Sequence, residues 1–310
     1  MPTRSADMLF GALIADAAAL GLHWLYDPAR IAEIADRRGG AAFCPVDETQ
    51  YHDAKGIFVH HARSDGMLSQ YGEVLALALR SIATEGAFDA TAYRTAFAAH
   101  FGAGGSYQGY IDRPTRGALD NIAAERDETG IDDDQLPATA TLPAIVARYH
   151  GTPDLHAQRR AAMEVTNINP VADAYSAAFV DLLTRLLDGT ALADALTATA
   201  QAADPAIRDA LSDALNTDED DTVAYAEEVG RACHLPMGGP VIFHILARSP
   251  DPRDAVERNI RTGGDSCGRA IPLGAALGAA YGITAFPLDW ALRLSDGHAL
   301  WQSCQKVASA

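Results

Sequence analysis

Thr262-Gly263-Gly264-Asp265-Ser266-Cys267-Gly268-Arg269-Ala270-Ile271-Pro272-Leu273-Gly274-Ala275-Ala276-Leu277-Gly278-Ala279-Ala280-Tyr281-Gly282 decides the fold. Its second half is a helix of small residues, with Gly274, Gly278 and Gly282 at every fourth position. Glycine inside a helix costs about 1 kcal/mol against alanine. Three at one spacing therefore point to another helix whose backbone comes close. Ahead of the helix, a glycine turn delivers the Asp265 carboxylate, the Ser266 hydroxyl and the Cys267 thiol to a helix N-terminus. Free N–H groups and the helix dipole favour anions there. Asp and Ser are also the commonest N-caps, so the cluster by itself is as compatible with capping as with a site.

The partner helix is sought in residues 7–22, where Gly11, Ala15 and Ala19 repeat the same small spacing. Two such stripes can pack backbone to backbone, which makes these helices core neighbours despite their separation in sequence. Asp16 lies within this apolar run. A buried carboxylate must be paired, hydrogen-bonded or bound to a ligand, and Asp16 reads as a structural hydrogen-bonder or a partner of Arg269 or a histidine. Outward from this pair, helical patterns follow at about 29–37, 72–86, 89–101, 113–126, 141–150, 154–165, 170–187, 191–202, 204–215, 221–233, 240–248, 251–262 and 287–303. No two-residue alternation marks a set of strands. The expectation is an all-α chain forming a single compact multi-helix domain over 1–310.

Hydrophobic residues make up 48% and the formal net charge is −17, so a folded globule is expected. Nucleic acid and anionic membrane are not expected as partners, because both want basic patches. Cys44, Cys233, Cys267 and Cys304 form no CxxC or zinc-type spacing, which reads as free thiols in a reducing cytoplasm. The apolar run to Leu22 is interrupted by Asp16 and lacks a cleavage-type ending, so neither a signal peptide nor a membrane span is expected. Residues 39–71 show little periodicity, and long irregular segments in compact domains tend to be functional. This one carries His60, His61, Asp65, Ser69, Gln70 and Tyr71. Asp132, Asp133 and Asp134 read as solvated turn residues, and Trp24 and Tyr26 as core.

Three anchors carry a family resemblance: Gly11-Ala-Leu-Ile-Ala-Asp16-Ala, Ser64-Asp-Gly-Met-Leu-Ser-Gln-Tyr-Gly-Glu-Val-Leu-Ala-Leu, and the Gly263–Gly282 signature. Together they resemble the all-α ADP-ribosylglycohydrolase family. The wording Ala15-Asp-Ala-Ala-Ala-Leu-Gly-Leu-His-Trp-Leu-Tyr-Asp27 is similar to a divergent branch that includes J1-crystallin-like proteins. The resemblance implies hydrolysis of a glycosidic bond at the ribose of an ADP-ribosyl group, with a small molecule or an ADP-ribosylated protein as substrate. It also implies two Mg²⁺ ions held by paired acids, since hard cations want oxygen ligands.

The chain departs from that pattern. Cys267 stands where a second carboxylate is expected, and a thiol is a poor Mg²⁺ ligand. Aligning Ser69-Gln70 with the family's Thr-Gln places Met67 and Leu68 where paired aspartates belong. The resemblance therefore implies a degenerate centre with one Mg²⁺ or none, rather than the two-Mg²⁺ arrangement. Asp265, Ser266 and Asp65 are the candidate metal ligands. Asp265, Asp65, His61 and Glu73 are the candidate catalytic groups. His60, Gln70, Tyr71, Ser106, Tyr107, Asn167 and Arg269 are the candidate substrate contacts. Beside hydrolysis stands a second reading, a non-catalytic binding or crystallin-like structural protein that keeps the fold.

Overall fold

A computed structural model describes residues 3–309. The chain is all-α: the described residues contain sixteen α-helices and, in place of strands, three isolated bridges. Helix α1 (Arg4–Ala19) and helix α14 (Ser266–Tyr281) pack along each other at the centre of the molecule. The small stripes explain this. A Cβ built at Gly274 would stand 2.5 Å from the Gly11 carbonyl oxygen, and one at Gly11 would stand 2.6 Å from that of Gly274. At Gly278 it would collide with the Asp7 carbonyl. No side chain fits between the two backbones, so glycine is required by proximity.

Around this pair lie α2 (Pro28–Arg38), α3 (Gln70–Glu85), α4 (Ala90–Phe101), α5 (Arg113–Ala123), α6 (Leu142–Tyr149), α7 (Leu155–Met163) and α8 (Pro170–Leu187). The remainder are α9 (Leu192–Ala202), α10 (Pro205–Asn216), α11 (Thr222–Val229), α12 (Leu235–Arg248), α13 (Pro252–Thr262), α15 (Leu288–Arg293) and α16 (Gly297–Ala308). Many starts share one device. Asp27, Asn169, Asp204 and Asp251 each cap the helix that begins at the following proline, their side chains accepting first-turn N–H groups. Such caps contribute roughly 1 kcal/mol each, and proline suits a first-turn position whose N–H has no intrahelical partner.

Four details correct the sequence reading. The expected 287–303 helix is two helices, because the loop at Gly66 docks in between: the Gly66 carbonyl accepts Ser295 N–H at 2.8 Å, and Asp296 adopts a left-handed φ of 55°. Helix α12 starts at Leu235, before the glycines, with Pro236 in its first turn and Pro240 inside it. Helix α11 stops at Val229, where Gly230 has φ 98°. The 4–22 segment is long and apolar enough to cross a membrane by length and composition, contrary to expectation, and most of it is buried in the core.

Asp16 is fully buried and ties three helices together. Its carboxylate accepts the N–H of Ser69 at 2.8 Å and the Ser69 hydroxyl, at the cap of α3. Its carbonyl accepts the Cys267 thiol of α14. Burial pushes the Asp16 carboxyl up to about 7, against the pull of the Ser69 hydrogen bonds. The sign follows directly. The folded state binds this proton more tightly than the unfolded state, so its stabilisation is full below pH 4 and is lost as pH rises toward 7. The shift from 3.8 to about 7 corresponds to roughly 4 kcal/mol. Urea melts of wild type and Asp16→Asn from pH 4 to pH 8 are expected to show a stability difference that changes by this order. A difference constant with pH would overturn the assignment.

Candidate active site

The N-terminus of α14 is the centre of the site. Gly263 and Gly264 adopt left-handed φ values of 75° and 67°, a conformation glycine enters without penalty. A Cβ at Gly264 would collide with the Arg231 carbonyl. The turn they make places Asp265 as the N-cap, with its Oδ1 accepting Gly268 N–H at 2.9 Å. The same Oδ1 lies 2.9 Å from His23 Nε2, and Oδ2 accepts the Tyr71 hydroxyl at 2.8 Å. His23 Nδ1 lies 2.8 Å from His60 Nε2. All four side chains are buried. Asp265, His23 and His60 thus form one continuous hydrogen-bonded chain.

Burial raises the Asp265 carboxyl, but the hydrogen bonds from His23, Gly268 and Tyr71 outweigh it and hold it below its ordinary value. Burial pushes the Tyr71 hydroxyl well up, reinforced by the Asp265 charge, so it stays a donor. His60 is held well below the ordinary histidine value by burial. The tautomers follow. Ionised Asp265 only accepts, so His23 carries a proton on Nε2. With both rings neutral, His23 Nδ1 accepts from His60 Nε2–H, and His60 Nδ1 is bare. That atom is buried without a hydrogen-bond partner. A proton arriving at His60 Nδ1 can be relayed by releasing the Nε2 proton to His23 Nδ1. The resulting imidazolium sits against the Asp265 carboxylate.

Asp112, the N-cap of α5, faces the same centre. Its Oδ1 accepts Thr115 N–H at 2.8 Å, while Oδ2 is buried without a partner. Burial raises its carboxyl, and the Asp265 charge adds to the rise. Two carboxyls are thus pushed apart, Asp265 down and Asp112 up, the arrangement that separates base from acid in hydrolytic centres. The rim is aromatic. Trp24 stacks edge-on to Tyr110 at 5.0 Å between centroids, and its indole Nε1 is buried and unpartnered. Its backbone sits at φ 64°, pinned by Trp24 N–H to the Gly264 carbonyl at 2.8 Å. Cys233 and Tyr26 are half-buried beside it. Burial and the Asp265 charge push the Cys233 thiol up, so it is not a thiolate nucleophile.

The other candidates sort by position. Gln70 is buried, its amide holding Thr115 Oγ1 and the Asp112 N–H, so it positions the acid. Asp65 is exposed and accepts Val46 N–H at 2.9 Å, which removes it from the catalytic and metal sets. His61 is exposed, 3.9 Å from Glu48 and edge-on to Phe58, and it leaves the catalytic set because its ring points out of the centre that its neighbour His60 enters. Glu73 pairs with Arg63 at 2.7 Å and His100 at 3.3 Å, and these two hold its carboxyl below the ordinary value despite burial. It serves that cluster instead of Asp265. Ser106 belongs to the same cluster, its hydroxyl 2.6 Å from His100 Nδ1.

Tyr107 is buried, its hydroxyl on the Tyr110 carbonyl and its ring under Arg63. Asn167 is buried and holds Asp133 through its carbonyl at 2.9 Å. Asp133 is therefore a buried anchor, and the expectation of three solvated aspartates is corrected. Arg269 is fully buried and spans the Asn259, Arg231 and Gly263 backbone carbonyls and the Asn259 side chain. Burial lowers it to about 10, so it stays charged at neutral pH. It fastens the glycine turn and contacts no open space. Cys267 is buried and pushed well up by burial.

A magnesium ion does not fit these residues. The Asp265 oxygens are committed to His23, Tyr71 and Gly268, and Asp65 lies elsewhere. Ser266 keeps a buried, unpartnered hydroxyl and Asp112 one free oxygen, which leaves at most a single carboxylate oxygen where a Mg²⁺ ion wants several oxygen ligands. Among the described residues no three His, Cys, Asp or Glu side chains are grouped to hold a metal. His23 and Asp112 escaped the sequence reading. The available signal was His23 inside the His23-Trp24-Leu25-Tyr26 turn, and Asp112 ahead of Arg113-Pro114.

Residues 2–310 match the family model described as ADP-ribosylglycohydrolase. Crystallin J1A of Tripedalia cystophora is 25% identical over 334 residues, covering 98% of this chain and 96% of the relative. Crystallin J1B of the same organism is 24% identical over 330 residues, with the same coverage. A solved structure titled ADP-ribosylglycohydrolase-related protein complex superposes with a TM-score of 0.73 at 18% identity, covering 99% of this chain and 98% of that one. It shares the fold.

Proposed function

The chain belongs to the ADP-ribosylglycohydrolase family, and from that premise we propose a hydrolase that cleaves a glycosidic bond of an ADP-ribosyl or related nucleotide-like substrate without magnesium. One observation carries this reading: the Asp265–His23–His60 chain ends on a buried, unpartnered nitrogen. His60 Nδ1 takes a proton from the attacking water as the water oxygen bonds to the anomeric carbon. His60 Nε2 passes its own proton to His23, whose positive charge Asp265 stabilises. Asp112 gives its proton to the leaving atom as the glycosidic bond breaks, and the relay then returns a proton to Asp112. General acid and base groups of this kind contribute about 10²–10⁴-fold each.

A second reading has its own support. Every oxygen of Asp265 is already bonded within a closed network, and the two crystallins match along nearly the whole chain. This reading is a non-catalytic protein that keeps the fold. ADP-ribose release from ADP-ribosylated arginine and serine peptides, measured by chromatography in EDTA and in Mg²⁺, separates the two. The hydrolase reading expects release unchanged by EDTA and reduced about 100-fold or more in His60→Ala and in Asp112→Asn. Release that requires Mg²⁺ would sink the imidazole relay. No release under either condition leaves the non-catalytic reading, which calorimetry with ADP-ribose then divides into binding and structural roles.

A further inference from the structure

A cleft of about 900 Å³ opens beside the Asp265 centre, lined among others by Tyr26, Lys55, Gly56, Ile57, Arg231 and Met237. Lys55 is one of only two lysines in a chain of net charge −17, the other being Lys306. Its ammonium makes no ion pair or hydrogen bond among the described residues, whereas the second cation of the cleft is committed. Arg231 Nη2 lies 2.6 Å from Glu227 and also donates to the Val223 carbonyl. The remaining acid of the wall, Asp27, caps α2 by accepting Arg30 N–H at 3.0 Å. Lys55 is thus the one cation of the cleft without a partner.

Its position is fixed by the backbone. Tyr26 N–H donates to the Lys55 carbonyl at 2.6 Å, and Ile57 N–H donates to the Trp24 carbonyl at 3.0 Å. The segment 55–57 is therefore clamped to the segment that carries Trp24 and Tyr26. Tyr26 belongs to both spaces. It lines the cleft, and its hydroxyl is raised by burial, by Cys233 and by the Asp265 charge. Ile57 is 60% exposed and adds an aliphatic face at the cleft mouth.

We infer that this cleft binds an anionic ligand with an apolar body, its carboxylate or phosphate oxygens on Lys55 and its body against Tyr26, Ile57 and Met237. Its link to turnover rests on the hydrolase reading; the binding itself does not. The net charge of −17 disfavours anions at long range, so a free ammonium beside an apolar wall gives them a local place to bind.

Calorimetric titration with adenosine 5′-monophosphate, benzoate and adenosine tests the site in wild type, Lys55→Gln and Lys306→Gln. Lys55 is exposed, and its fold contacts are made by the backbone, so the variant is expected to fold. The two anions are expected to bind wild type and Lys306→Gln alike and to weaken at least about fivefold in Lys55→Gln. Adenosine should be indifferent to Lys55. Weakening of the nucleotide alone identifies phosphate as the favoured group, and weakening of benzoate alone identifies carboxylate. Equal affinities in wild type and Lys55→Gln, or no anion binding at about 10 mM, overturn the proposal. His60→Ala separates this result from the hydrolase reading, because it should remove turnover and leave anion binding intact.

Discussion

Asp265→Ala is expected to cost about 3–5 kcal/mol of stability, the range found when one partner of a buried charged network is removed. Three donors lose their acceptor at once: His23 Nε2, the Tyr71 hydroxyl and Gly268 N–H. All three lie in a region with almost no access to water, so solvent cannot replace the carboxylate. Loss of the N-cap of α14 is part of the same cost and by itself is worth about 1 kcal/mol. Urea denaturation reads the loss as a lower midpoint at unchanged slope. Asp265→Asn is the sharper companion. An amide keeps the shape but offers one acceptor oxygen where two are used, and its NH₂ must face a donor. It should fold with a smaller loss and should break the proton relay. A loss below about 1 kcal/mol for Asp265→Ala would show that the network is not closed in solution.

Gly278→Ala is the second large effect. The new methyl would meet the Asp7 carbonyl and stand 2.9 Å from the Met8 Cα. Both are backbone atoms of α1, which cannot swing aside as a side-chain tip can. The helices must separate, and the packing along the whole α1–α14 contact loosens with them. A cost on the order of 3 kcal/mol or more is expected, at the upper end for overpacked cores. This inverts the intrinsic preference, by which alanine gains about 1 kcal/mol over glycine in a helix. Ala280→Gly, on the same helix at a half-buried position, is the control and should cost about 1 kcal/mol. If Gly278→Ala stabilised the protein, the close crossing of the two backbones would be wrong.

Periodicity located the helices, because that signal is local: the apolar stripe repeats within one or two turns. The α1–α14 pairing was legible although it is remote in sequence, because both partners carry the same glycine and alanine spacing. Asp16 was marked by an acid inside an apolar run. The break at Gly230 carried a local mark, a glycine at the helix end, that the helical pattern overrode; the break at Ser295 depends on a contact from elsewhere. The Gly66 loop docks between α15 and α16 by bonding Ser295, and the Asp296-Gly297 pair alone marks a turn there without showing what fills it.

For the site, the chain of residues around Asp265 determined the family resemblance, the cap and the loss of the usual paired acids. Cys267, Met67 and Leu68 stand in the sequence for anyone to read. What replaces the acids was decided only by tertiary structure. His60 and His61 are adjacent and chemically identical, yet one enters the centre and the other faces solvent, because the chain turns there with Arg63 N–H on the His60 carbonyl. Asp65 and Asp112 are both short-chain acids ahead of helices. One is exposed on a loop, and the other is sealed beside Asp265 with an empty oxygen. Burial, partner and charge belong to positions in space, and it is these that set a carboxyl's proton affinity and a histidine's tautomer. The sequence by itself therefore determined an all-α fold built on two small-residue helices and an acid at the head of one of them. Only the folded chain determined that this acid is held by His23 and Tyr71, and that His60 and Asp112 each keep a buried, unpartnered polar atom.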